Sequence, residues 1–152
     1  MMVREMQVED LEQVMEIEQD LFSVPWTKEG FFTFLTRDHA MFLVVEEKGE
    51  ILGYCGLLIV LDEGDITNVA VKRNRQNEGI GKFLMESLIR LATDLGVTTI
   101  HLEVRAGNEK AIRLYERVGF TRDGIRKKYY TDPTEDAVLM TRHPSENING
   151  RK

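Results

Sequence analysis

Two side chains in this sequence have the chemistry to move protons, and one loop has the chemistry to hold a phosphate. Glu103 falls near the carboxyl end of an alternating apolar–polar run, residues 98–105, opposite the face that carries Ile100, Leu102 and Val104. Tyr115 lies two turns into the helical segment that follows and points back along the same edge. A carboxylate can take a proton from a nucleophile, directly or through water, and a phenol can return one to a leaving group. The pair therefore suits transfer of a small group. A bland reading exists for each residue. A strand glutamate is commonly a solvated ion-pair partner, here with Arg105 or Lys110 in reach, and a helical tyrosine on an apolar face is commonly core.

The loop is Gln76-Asn77-Glu78-Gly79-Ile80-Gly81, inside VAVKRNRQNEGIGK. Gly79 and Gly81 let a ligand approach the main chain closely. The first amides of the helix that starts there have no intrahelical acceptor, and the helix dipole adds partial positive charge. A phosphate or pyrophosphate satisfies both. Lys72, Arg73, Arg75 and Lys82 surround the loop against only Glu78. An ordinary turn with helix-start chemistry reads the same way. No Gly-Lys-Ser/Thr closes the loop, and the full G-x-G-x-x-G spacing is absent, so neither mononucleotide nor dinucleotide signatures apply.

The elements that must position these groups follow from periodicity. Residues 3–6 suit a short strand. Leu11, Val14, Met15, Ile17, Leu21 and Phe22 lie mostly on one helical face, with Glu9, Asp10, Glu12, Glu16 and Asp20 on the other. Pro25-Trp26 breaks that helix, and Thr27 can cap a second one that carries Phe31, Phe32, Phe34 and Leu35. Residues 41–47 and 51–61, around a Lys48-Gly49-Glu50 turn, read as a β-hairpin, with Gly53 and Gly56 marking a bulge or close contact. Asp62-Glu63-Gly64-Asp65 reads as a turn, and 66–71 as the strand feeding the glycine loop. Ile80, Phe83, Leu84, Ser87, Leu88, Leu91 and Leu95 keep helical spacing up to Gly96. Asn108 caps the next helix, which Gly119 ends. Residues 120–125 and the stretch from Tyr129 read as two strands, and Asp132-Pro133-Thr134 turns into a last strand at 137–140. The strand–helix–strand order makes 66–71 and 98–105 parallel neighbours. The layout is α+β, a mixed sheet flanked by helices.

At 152 residues, 42% hydrophobic and 30% charged, the chain suits one domain, expected over residues 1–143 with a polar tail at 144–152. Its formal charge of −6 argues against nucleic acid as a direct partner and suits a cationic peptide or protein. The single cysteine, Cys55, excludes an internal disulfide and fits a buried small hydrophobe in a reducing, cytoplasmic setting. The longest apolar run, 51–61, has about half the length a membrane span needs, so no membrane role is expected. No signal peptide is visible.

NVAV, QNEGIGK, HLEVRAGNEKAIRLYERVGF and KKYY…EDAVLM resemble successive motifs of the GNAT acyl-CoA N-acyltransferases, in particular the RimI branch of ribosomal-protein-alanine N-acetyltransferases. The resemblance covers about residues 6–141. It implies a sheet that splays beside Val69, Ala70 and Val71, whose backbone pairs with the pantetheine arm of acetyl-CoA. It puts the pyrophosphate on the amides of Asn77, Glu78, Gly79, Ile80, Gly81 and Lys82 beside Gln76, and gives Asn108 a coenzyme contact. It makes Glu103 the general base and Tyr115 the general acid. Tyr129 and Tyr130 match positions bordering the peptide groove. The implied acceptor is the N-terminal alanine of a small-subunit ribosomal protein, with no metal. Asn77 and Glu78 stand where family loops usually carry Arg or Gly, and an acidic side chain is unfavourable beside a pyrophosphate unless it points outward. Rival readings keep the fold and change the acceptor to a lysine, a polyamine or an aminoglycoside, or remove catalysis and leave an acyl-CoA-binding module. A nucleotide-phosphate enzyme is disfavoured because no magnesium-ligand motif accompanies the loop.

Overall fold

The computed structural model describes residues 1–144, so the tail expected at 144–152 lies outside the described residues from 145 onward. Its elements in chain order are β1 (Met2–Glu5), α1 (Leu11–Leu21), α2 (Lys28–Leu35), β2 (Ala40–Glu47), β3 (Glu50–Val60), β4 (Glu63–Val71), α3 (Ile80–Asp94), β5 (Thr99–Arg105), α4 (Glu109–Arg117), β6 (Thr121–Tyr130) and β7 (Glu135–Arg142). The strands form a seven-stranded sheet in the order β1-β2-β3-β4-β5-β7-β6. Every neighbouring pair is antiparallel except β4 and β5, the pair joined by the α3 crossover.

Alternation along the strands divides the core between the two faces. Leu43 and Val45 pack with α3 and α4, through Leu84, Leu88, Ile112 and Tyr115. Phe42 and Val44, one residue out of phase, pack with α1 and α2, through Val14, Ile17 and Phe31. Leu84 and Leu88 are fully buried, and each contributes about 1.5–3 kcal/mol relative to exposure. Two phenylalanines of α2 pack around Trp26, whose ring centroid lies 5.0 Å from both Phe31 and Phe34. Phe32 is the exception and faces outward.

Helix ends follow their sequence signals. The Thr27 hydroxyl accepts from the Gly30 amide at 3.0 Å, and Gly96 and Gly119 adopt left-handed φ of 95° and 103° after α3 and α4. The β2–β3 hairpin turns on Lys48 and Gly49, both with positive φ, while Glu50 already belongs to β3. Gly56 sits at a register shift against β4, where a Cβ would come within 2.3 Å of the Phe42 ring.

Two expected segments differ. The turn expected at 62–65 is shorter, because Glu63 to Asp65 pair with both β3 and β5 and extend β4 backwards. Ladder hydrogen bonds on both sides outweigh the local turn preference of an Asp-Glu-Gly-Asp run. The two strands expected at 120–125 and from 129 are one strand, β6, broken in register between Arg126 and Tyr130, with Lys128 at φ 52°. The Asp136 carboxylate accepts from the Lys128 amide at 2.9 Å and holds that irregularity.

Candidate active site

The sheet comes apart where the sequence places its chemistry. β4 and β5 pair over only three positions, from Glu63↔Thr99 to Asp65↔His101. Beyond Asp65 the two strands diverge. Val69, Ala70 and Val71 still pair with Cys55, Tyr54 and Gly53 of β3, but their other edge has no strand partner among the described residues. Val69 and Val71 lean on the α3/α4 core, and Ala70 is buried on the opposite face. The result is a free strand edge inside the molecule, open between two protein layers. The side-chain Nδ2 of Asn68 on this segment is buried without a hydrogen-bond partner, an orphan donor of the kind a bound carbonyl satisfies.

At the end of β4 the loop turns into α3. The Gln76 side-chain Nε2 donates to the Val71 carbonyl at 3.0 Å, and its Oε1 accepts from Lys110 Nζ at 3.4 Å, tying the strand end to α4. Asn77 and Gly79 take positive φ, 68° and 83°, the latter as the residue that starts α3. No side chain caps this helix, and its first internal bond runs from the Phe83 amide to the Gly79 carbonyl. The amides of Ile80, Gly81 and Lys82 therefore face out of a fifteen-residue helix with their donors uncapped, which fits an anion.

The charges around this loop act differently from the sequence expectation. Lys72 pairs with Glu50 at 2.7 Å, Arg73 with Asp20 at 3.0 Å, and Arg75 with Glu47 at 3.2 Å and Glu78 at 3.1 Å. Three of the four loop cations are thus neutralised by nearby carboxylates. Glu78 shares Arg75 with Glu47, so one cation serves two carboxylates and the acidic side chain is only partly offset. The donor set that remains is mainly main-chain. Gly81 also has a second explanation, since a Cβ there would meet the Leu114 Cδ2 at 3.1 Å and Val71 Cγ2 at 3.7 Å. Its missing side chain lets α3 pack close to α4 and β4.

Glu103 and Tyr115 occupy opposite faces of the splay. Glu103 points away from the α3/α4 core into a cleft of about 460 Å³ lined by Asp65, His101, Asp123 and Arg126. Neither Arg105 nor Lys110 is its ion-pair partner: Arg126 Nη1 lies 3.4 Å from Glu103 Oε2, while Arg105 pairs with Glu135 at 3.2 Å. The Tyr129 hydroxyl donates to Glu103 Oε1 at 3.3 Å. Tyr115 is buried within the α3/α4 core against Phe120. Burial, with Tyr130 and Cys55 nearby, pushes its phenol well up, so it stays protonated at neutral pH. Tyr130 is half-buried under the Arg105 guanidinium, and burial followed by Glu103 pushes it up to about 12. The Asn108 side-chain oxygen accepts from the Ala111 amide at 3.2 Å and caps α4. Cys55 is fully buried, and burial pushes its thiol up.

Several supports were not legible beforehand. Glu135 accepts from the Gly107 amide at 2.7 Å and fixes the turn between β5 and α4. Arg105 donates to the carbonyls of Thr131 and Pro133, at 2.8 and 2.9 Å, and fixes the β6–β7 turn. Glu18, buried in α1, accepts from the Tyr54 hydroxyl and from the Trp26 amide, and so pins the α1–α2 connection to β3. The signal for Glu18 was a carboxylate next to Ile17 and one turn after Val14, both core positions. Among the described residues, no group of three or more His, Cys, Asp or Glu is placed to hold a metal, and no helix is long and apolar enough to cross a membrane.

Comparison with known proteins agrees with this architecture. The profile of the Acetyltransferase (GNAT) family matches residues 11–120. A Bacillus subtilis relative, named as a candidate ribosomal protein bS18-alanine N-acetyltransferase, is 42% identical over 139 residues, covering 91% of this chain and 92% of its own. The Escherichia coli ribosomal protein bS18-alanine N-acetyltransferase is 36% identical over 140 residues, covering 91% and 94%. The crystal structure of the Escherichia coli enzyme superposes with a TM-score of 0.88 at 32% identity over 99% of both chains. A splayed β4–β5 pair opening beside an uncapped helix start, with the family profile across it, assigns the chain to the GNAT family of acetyltransferases.

Proposed function

We propose that this enzyme moves the acetyl group of acetyl-CoA directly onto the α-amine of the N-terminal alanine of ribosomal protein bS18. The observation that carries the reading is the splay itself. Glu103 lies on one face of it and Tyr115 on the other, so two reactants entering from opposite faces can meet where the sheet has no hydrogen bonds. The names of the relatives support the acceptor, and the acidic cleft around Glu103 suits an ammonium.

Acetyl-CoA supplies the activated acyl group and a thiolate leaving group. The free edge at Val69–Val71 pairs with its pantetheine amides, and a backbone N–H there holds the thioester carbonyl. The amides from Asn77 to Lys82 hold the pyrophosphate, with Asn108 alongside. Tyr129 and Tyr130 border the acceptor's first residues. Glu103 takes a proton from the α-amine, whose ordinary pKa is about 8, so a base of modest strength suffices. As the amine nitrogen bonds to the acyl carbon, the C–S bond breaks, Tyr115 gives its proton to the departing sulfur, and the second proton leaving the nitrogen returns through solvent to the Tyr115 phenolate. Residues 1–143 form the catalytic unit, and the setting is cytoplasmic.

The test is thiol release from acetyl-CoA with mass spectrometry of the products. The panel comprises peptides beginning with Ala, Ser, Met or Gly, one of them carrying the first residues of bS18, and a lysine peptide with a blocked N-terminus. Acetylation at the alanine α-amine is expected. Transfer to lysine alone would keep the chemistry and discard the acceptor, and coenzyme binding without any transfer would discard catalysis.

A further inference from the structure

Glu103 is already engaged. Its Oε2 faces Arg126 Nη1 at 3.4 Å, and its Oε1 accepts from Tyr129, whose ring the Arg126 guanidinium overlies at 5.1 Å. Arg126, Tyr129 and Glu103 therefore form a closed triangle at the mouth of the cleft. Among the described residues, Arg126 is also the one permanently charged cation on the cleft wall, against Asp65, Glu103 and Asp123. Its position is a consequence of the β6 irregularity, because the register break after Arg126 brings Tyr129 beside it. Of the other β6 and β7 charges, Arg122 pairs with Glu116, Lys127 with Asp136, and Glu135 with Arg105 of β5.

We infer that Arg126 is a placeholder for the acceptor's α-ammonium: it neutralises Glu103 in the free enzyme and is displaced when the protonated amine binds. This rests on the proposed function and refines it by naming the protonation state admitted. The ammonium enters charged and takes over the Glu103 oxygen that Arg126 held. It then gives one proton to that carboxylate, leaving a neutral amine with its lone pair free and Arg126 still protonated. The side-chain exposures suit an exchangeable contact, 54% for Arg126 and 36% for Glu103. An ion pair so exposed is weak, which lets an incoming cation compete. Arg126 is a positioning residue here, since it touches the base and not the reacting atoms.

The measurement is calorimetric binding of an alanine-headed bS18 peptide, and of the same peptide with its α-amine acetylated, to the CoA-bound protein. CoA without its acetyl group prevents turnover, so binding is read apart from chemistry. Arg126→Gln should bind the free-amine peptide about two- to five-fold more tightly than wild type, with the acetylated peptide unchanged. Arg126→Lys should stay near wild type because it restores the charge. An unaltered CoA dissociation constant in both variants excludes misfolding. Equal or weaker binding of the free amine by Arg126→Gln, an equal gain for both peptides, or no binding to either protein overturns the inference. Wild-type binding without acetyl transfer under acetyl-CoA would instead overturn the proposed function and leave this contact standing.

Discussion

Replacing Glu103 by Gln separates its proposed role as base from everything else at the site. The glutamine oxygen can still accept from Tyr129, so the contact at 3.3 Å survives, and only the ion pair with Arg126 is lost. That pair joins exposed groups, so its loss costs less than about 1 kcal/mol. For a chain of this size the melting temperature should fall by no more than about 4 °C. Coenzyme binding should be unchanged, because no loop donor is touched. The rate should not survive. Loss of a general base costs about 10²–10⁴-fold. The variant must wait for amine that is already neutral, about a tenth of the total at pH 7 and about nine tenths at pH 9. The deficit in kcat/KM should therefore shrink about tenfold between those pH values. The assay is initial-rate thiol release at saturating acetyl-CoA across that range. A deficit that is the same at pH 7 and pH 9 would refute the base assignment, as would a raised coenzyme dissociation constant. Freed Arg126 could repel the ammonium in this variant, so Glu103→Gln/Arg126→Gln is the control that isolates proton transfer.

Other outcomes follow from the same geometry. Tyr115→Phe should slow turnover by about 10²-fold while leaving coenzyme affinity intact, and weakened binding in calorimetry would make the residue structural. Glu18→Ala strands the Tyr54 hydroxyl and the Trp26 amide, both held by this buried carboxylate, and should cost about 3 kcal/mol, or roughly 6–12 °C by thermal unfolding. Gly79→Ala forces a Cβ into φ 83° and should cost about 1–2 kcal/mol while weakening coenzyme binding. Gly81→Val overpacks Leu114 and should cost about 1–3 kcal/mol. The Arg4 guanidinium holds the Asp10 carboxyl below its usual range, so that pair stabilises the fold fully above pH about 4 and progressively less as acid protonates Asp10. Asp10→Asn should flatten that acid limb in urea titrations.

How much of the site was legible depended on how local each signal was. Thr27, Asn108, Gly96 and Gly119 announce helix ends because a cap is formed by one residue and its neighbours. The glycine loop and its uncapped amides are local too, and so were found. The alternation that sets Glu103 opposite Ile100, Leu102 and Val104 needs only the two-residue period of a strand. The partners of those charges were not legible. Arg126 and Glu103 meet only because β6 reaches the β5 edge of the sheet through β7 and breaks register after Arg126. The loop cations, which read as a positive patch, are spent on Asp20, Glu47 and Glu50, which lie far away in the chain.

Local pattern was enough to set the faces the strands and helices bury, the loop whose helix start is left uncapped and, apart from the single strand β6 that read as two, the order of elements along the chain. Each of these follows from signals within about one turn or one strand. Long-range packing was needed to part β4 from β5 after Asp65, to put Glu103 and Tyr115 on opposite faces of the gap, and to rest Arg126 on Glu103. Such facts depend on which backbone edges go unpaired and which distant charges meet, and neither is encoded in the period of any single segment.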